Sequence, residues 1–193
     1  MRMKLLFNPF SRITGLKALV WGEFFVIALT ALFVVSNVAQ DGFMHFTILN
    51  CPAWKILVMN HLSWMIFAAL LYLGGCAFPR TKVRIIDLFG SICFSQLLLI
   101  PMNAFFYIPT WRDSILDTLT ALTTGAMPDS TQTALLTAMG VWSLVWLILY
   151  IIWSYNAFAT SCNVRGTRAI VKYIAIWIIC TACVAPLAKL IYL

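Results

Sequence analysis

Charge is what this chain has least of. Of its 193 residues only 6 are Asp or Glu and 13 are Lys or Arg, so 10% are charged while 63% are hydrophobic. Water-soluble domains carry roughly a quarter charged residues, and a mean hydropathy of +0.95 excludes that class in favour of an integral membrane protein. Catalytic and ligand-binding signatures are missing as well: there is no G-x-S-x-G, no H-E-x-x-H, no phosphate-binding glycine loop and no carboxylate cluster. Six cysteines are present, but only Cys51 falls in a segment read as an outer loop, so no disulfide framework is implied. Cys180 and Cys183 form a C-x-x-C inside an apolar run, where they read as helix-packing residues rather than a redox pair.

Long apolar runs are what is there. A helix needs about 20 predominantly apolar residues to cross the hydrocarbon core of a bilayer. Five segments qualify: 18–38, 56–78, 87–108, 134–160 and 169–191. The fold expected is an all-α integral membrane bundle of five transmembrane helices, a single domain over residues 1–193. The first apolar run is too long for a signal-peptide core and no small-x-small cleavage site follows it, so it reads as an uncleaved span. The segment before it, "MRMKLLFNPFSRITGLK", loosely alternates apolar and basic residues and suits either the inner headgroups or a short tail. In the third loop Ile115, Leu116, Leu119 and Leu122 share a helical face. A short amphipathic helix is expected there, opened by a capping box at Thr110 and Asp113 and ended by Gly125 and Pro128.

Lys and Arg beside spans stay on the cytoplasmic side. Arg2, Lys4, Arg12, Lys17, Arg80, Lys82, Arg84, Arg165, Arg168 and Lys172 fall on one side, against Lys55, Arg112 and Lys189 on the other. This places the N-terminus in the cytoplasm and the C-terminus outside. The net charge of +7 is thereby a headgroup-facing collar, with anionic lipid as its partner and not nucleic acid.

Ionisable groups within spans are costly, so each is a functional hypothesis until a partner explains it. Counted from the span ends, Glu23, Asp87 and Lys172 fall in an inner layer, and Asn60, His61, Asn103 and Lys189 in an outer one. Between the layers the helices read as apolar, with Gln96 and the kink-prone Pro101 as exceptions. Such a gap argues against a continuous polar path. Matched depth pairs Glu23 with Lys172 or with the inner arginines. His61 reads as an interfacial hydrogen-bonding group rather than a metal ligand, having no carboxylate or thiol beside it in sequence. Ala18 with Gly22, Gly74 with Gly75, and Gly90 supply small surfaces on which helices can approach in lipid.

The stretches "NPFSRITGLKALVWGEFFVIALTAL", "QDGFMHF" and "DLFGSICFSQLLLIPMNAFF", with five spans in this orientation, resemble the Yip family, the Ypt/Rab-interacting membrane proteins, in its short bacterial branch. The likeness covers most of the chain. Asp87, Leu88, Phe89 and Gly90 look like the D-L-Y-G element of eukaryotic members, but open the third span here, so no role is carried over to them. The resemblance implies a multi-pass protein without known catalysis, linked in eukaryotes to trafficking and membrane organisation. It implies the bacterial cytoplasmic membrane as the location, with the endoplasmic reticulum or Golgi membrane as the alternative.

The expectation is a non-catalytic, cofactor-free adaptor or organiser in the membrane, with membrane-protein partners or further copies of itself. The alternative is a small transporter or channel component in which Glu23, Gln96, Asn103 and Lys172 line a route. An enzyme acting on lipid, with His61 or Asp87 as base, is the weakest reading, since no nucleophile and base share a helical face.

Overall fold

A computed structural model of the protein describes residues 7–78, 83–127 and 129–193. Arg2, Lys4, Arg80, Lys82 and Pro128, which entered the charge and loop readings, lie outside the described residues. Among the described residues five helices are long and apolar enough to cross a membrane. They are α1 (Gly15–Ser36), α2 (Ala53–Cys76), α3 (Ile85–Ser95) with its continuation to Met102, α7 (Ser130–Ser161) and α8 (Thr167–Tyr192). The starts of α1, α3 and α8 and the ends of α2 and α7 point to one end of the bundle, where Asn156 bonds the Phe7 carbonyl and Lys172 the Ala77 carbonyl. Arg12, Lys17, Arg84, Arg165, Arg168 and Lys172 gather there, and we call it the basic end.

The tightest contact in the bundle is between α1 and α3, and glycine makes it possible. A Cβ on Gly22 would lie 2.6 Å from the backbone of Cys93 and Phe94, and one on Gly90 would lie 2.5 Å from the Gly15 carbonyl oxygen. In lipid, where tails solvate apolar side chains as well as a neighbouring helix does, such backbone approach is what holds helices together.

The third span is shorter than its apolar run. Pro101 has no N–H and its ring crowds the carbonyl four residues earlier. The chain answers with a 3-10 turn at Gln96–Leu98, a short α4 (Leu99–Met102), a break at Asn103 and a second short helix α5 (Ala104–Tyr107). The carbonyls exposed by the break find donors on α7: Trp142 Nε1 donates to the Pro101 oxygen at 2.6 Å and Ser143 Oγ to that of Met102 at 3.2 Å.

The third loop carries α6 (Pro109–Thr124), closed by Gly125 in the left-handed region at φ 77°. The helix starts one residue before the expected cap: Ile108 is its N-cap and has no side-chain acceptor, Thr110 falls inside the first turn, and Asp113 accepts from Arg112 at 3.0 Å. The capping box lies at the next helix, where Asp129 and Gln132 reciprocally close the start of α7. Ile115 is buried, whereas Leu116, Leu119 and Leu122 stay exposed.

The largest departure from the expected fold is the first connection, which is no polar loop on the surface. Asn37 takes the left-handed conformation at φ 53°, turning the chain back on α1, and Arg112 bonds the Ser36 carbonyl at 2.9 Å. Strands β1 (Val38–Gly42) and β2 (His45–Ile48) then pair as an antiparallel hairpin around Phe43 and Met44, Met44 having φ 64°. This hairpin re-enters the bundle. The Phe43 ring meets Phe67 at 4.6 Å, Trp177 at 5.7 Å and Tyr150 at 6.5 Å. At 1.5 Å per residue those partners stand about 14 Å along α2 from Cys76, about 15 Å along α8 from Thr167 and about 17 Å along α7 from Ser161. The tip thus reaches the middle of the spans. Irregular backbone at that depth survives only if protein covers it, and Val38, Ala39 and Gln40 are at most 2% exposed. Tyr192 adds a hydroxyl donor to the Gln40 carbonyl at 3.0 Å.

From the basic end a second aromatic enters. Phe10, 1% exposed, sits edge-on to Phe94 and Trp153 at 6.3 and 6.0 Å. The core is therefore stoppered from both ends by rings delivered from segments outside the spanning helices, Phe10 from a 3-10 turn and Phe43 from the hairpin.

Candidate functional site

Glu23 does not meet Lys172. Its Oε2 lies 2.9 Å from His61 Nε2 on α2, and its Oε1 accepts from Cys93 Sγ on α3 at 3.8 Å. The reason is stagger. Trp64, about 18 Å along α2 from Cys76, packs on Phe89, only about 6 Å along α3 from Ile85. Because α1 packs on α3, both begin some way up α2, and Glu23 rises to the level of His61. Layers counted from span ends assumed a common baseline that the bundle does not have. Lys172 belongs to α8, which packs on α2: its Nζ donates to the Ala77 carbonyl at 3.3 Å and stands 3.9 Å from the centre of the Phe78 ring.

The proton inventory of the pair follows from its third partner. His61 Nδ1 lies 2.8 Å from the Leu57 carbonyl, which can only accept, so Nδ1 carries a hydrogen. Nε2 then either donates to a carboxylate as imidazolium or accepts from a protonated Glu23. Both arrangements are neutral overall, and they differ by the position of one proton. The pair is not sealed in: 37% of the Glu23 side chain and 28% of the His61 side chain remain exposed. A carboxylate next to imidazole in this setting can hold, pass or release a proton.

Directly beside it, Asn60 donates to Thr30 Oγ1 at 2.9 Å, and Thr30 Oγ1 in turn bonds the Val26 carbonyl. Across the core Gln96 Nε2 donates to the Tyr150 hydroxyl at 3.1 Å, and Ser154 and Tyr173 share a hydroxyl bond of 2.6 Å. Polar pairs thus link α1 to α2 in the outer layer, α3 to α7 at mid-depth and α7 to α8 in the inner layer. Only the Gln96–Tyr150 pair lies between the two layers, and Gln96 is the exception already seen in sequence.

Asn103 closes its own turn, donating to the Leu99 carbonyl at 2.9 Å while 2% exposed, so it serves the break after Pro101. Asp87 lies in the first turn of α3 next to Gly15, whose Cβ would stand 3.1 Å from its carboxylate oxygen; a negative charge suits a helix start. Sequence reasoning missed the hairpin pair, Asp41 and His45, which bond to each other near the tip. Part of the signal was available: Asp41-Gly42 in a β-prone stretch marks a chain reversal, although both residues lie in β1 and the reversal comes one step later, at Phe43 and Met44. Asp41 and His45 are exposed to 31% and 75% of their side chains.

Outside the spans, burial pushes the Cys162 thiol up to about 12, with Cys76 beside it adding to the effect. The Cys51 thiol is raised by burial, with nearby Lys55 opposing. Among the described residues no group of three or more His, Cys, Asp or Glu could hold a metal ion.

No family model, no curated protein and no solved structure matches this chain.

Proposed function

We propose that the chain is a Yip-type multi-pass membrane protein acting as a non-catalytic adaptor or organiser, with its basic end toward the cytoplasm of a bacterial inner membrane. The observation that carries this reading is the double stopper. Phe10 from one end and Phe43 from the other close the interior with packed rings. A conduit needs polar groups around an open route, whereas the polar pairs here are spent on holding helices to one another. What such a bundle offers to other molecules is its outside: long apolar helix faces, a basic collar for anionic headgroups at about 1 kcal/mol per cation, and α6 with Leu116, Leu119 and Leu122 exposed at the opposite end. Further copies of the chain or other membrane proteins are the partners that these faces suit.

Reconstitution tests it. Purified protein in liposomes is expected to leave proton and ion gradients untouched, and protein extracted in native lipid is expected to bring a defined membrane-protein partner or a second copy. Gradient dissipation that disappears in Glu23→Gln overturns the reading.

The transporter reading keeps one observation in its favour, the part-exposed Glu23 and His61 pair able to exchange a proton. It would need α1 and α2 to separate on the exposed side of that pair, and the same flux assay decides it.

A further inference from the structure

At the basic end, between the end of α2 and the start of α8, lies an open pocket of about 430 Å³ lined by Ala77, Phe78, Thr167, Arg168, Val171 and Lys172. Arg168 and Lys172 are one turn apart on α8, so their charges lie on the same helical face. Neither takes part in an ion pair with a described residue. Lys172 is held over Phe78 by its ring and by the Ala77 carbonyl, which fixes the ammonium at the pocket without neutralising it. The first turn of α8 contains no acidic residue and its cap Gly166 offers no side chain. The earliest N–H groups with backbone partners are those of Ala169 and Ile170, both bonded to the Gly166 carbonyl, so the N–H groups of Thr167 and Arg168 come before that ladder. Positive side chains and the positive end of a helix dipole converge on one place.

The walls decide what kind of anion fits. Ala77, Phe78 and Val171 are apolar, and below them Val171, Ile174 and Ile178 are exposed at 59%, 51% and 61%. Those three recur at helical spacing, so an apolar track leads from the pocket down the lipid-facing side of α8. A soluble phosphate would use the cations and leave the track empty. A phospholipid uses both. Basic pockets between spans on the cytoplasmic side are where anionic headgroups bind.

We propose that this pocket is a specific site for an anionic phospholipid, its phosphate held by Arg168, Lys172 and the start of α8, with an acyl chain along Val171, Ile174 and Ile178. The proposal rests on the reading that the basic end faces anionic headgroups. It goes beyond that reading by assigning a discrete site to two residues.

Native mass spectrometry of the full chain from mixed micelles of phosphatidylglycerol and phosphatidylcholine tests it. Wild type is expected to retain phosphatidylglycerol in preference to phosphatidylcholine. Arg168→Gln with Lys172→Gln is expected to weaken retention by about thirtyfold, and Lys189→Gln at the other end to leave it unchanged. Both pocket substitutions remove charge at the rim, and an unchanged melting temperature will show that the fold is kept. Inorganic phosphate at millimolar concentration is expected not to displace the lipid. If wild type prefers phosphatidylglycerol but the double variant does so equally, the pocket is wrong and the general collar stands. If wild type shows no preference, the headgroup reading fails with it. Displacement by inorganic phosphate would make this a simple anion site and overturn the lipid assignment.

Discussion

The α1–α3 contact and the α7–α8 contact solve the same problem in opposite ways. Both join two spanning helices in a medium that gives no hydrophobic reward for joining them. In the first, Gly22 and Gly90 remove side chains so that backbones touch. In the second, large residues hold the helices apart, hydroxyls of Ser154 and Tyr173 tie them near the basic end, and the hairpin wedges its Phe43 ring against Tyr150 and Trp177 farther along. A glycine contact is all or nothing, because backbone cannot move aside. A wedge is graded, because what fills the gap can be trimmed.

The comparison can be broken at its rigid side first. Gly90→Val or Gly22→Leu places atoms inside the neighbouring backbone, and α1 and α3 must separate. The expected loss exceeds about 3 kcal/mol, seen as the absence of a folded peak in detergent chromatography. On the graded side, Phe43→Ala leaves a hole in the ring cluster and is expected to cost about 3 kcal/mol, read as a lowered melting temperature with the protein still monodisperse. Equal damage from both would erase the distinction.

A smaller effect sharpens the polar ties. In a double-mutant cycle Glu23→Gln and His61→Gln are expected to couple by about 1–2 kcal/mol, discounted for the part-exposed setting. Glu23→Gln and Lys172→Gln are expected to be additive. Coupling of Glu23 to Lys172 instead would restore the pairing expected from depth alone. The smallest signal is chemical. A raised thiol pKa means less thiolate at a given pH, so at pH 8 the buried Cys162, pushed up to about 12, should resist a maleimide that modifies exposed Cys76. Reaction of both at one rate would show that the basic end is loosely packed around Cys162.

Spans and glycines were legible because length, apolarity and the absence of a side chain act locally. The ends of α1, α2, α7 and α8 fall within a few residues of those read from hydropathy. Pro101 was legible as a kink, though its consequence, the loss of the last turns of the third span, depends on donors from Trp142 and Ser143 that only packing supplies. The partner of Glu23 was hidden for a different reason: depth along one helix says nothing about the stagger between helices, which follows here from α1 packing on α3 at Gly22 and Gly90 and α3 packing on α2 at Phe89 and Trp64. The hairpin was hidden because its burial depends on cover from α2, α7 and α8 that no local signal carries. A short segment between two spans resembles a surface loop in length and polarity, yet "MHFTI" alternates apolar and polar residues and Asp41-Gly42 precedes it.

The central claim is that residues 38–48 re-enter the bundle and place Phe43 at its middle. Photo-crosslinking tests it most directly, with p-benzoylphenylalanine at position 43, an aromatic replacement that keeps the plug, in protein reconstituted in lipid. Mass spectrometry is expected to find adducts within the same chain on the peptides containing Phe67, Tyr150 or Trp177. Adducts to lipid headgroups alone, or none within the chain, would return the segment to the surface and contradict the account.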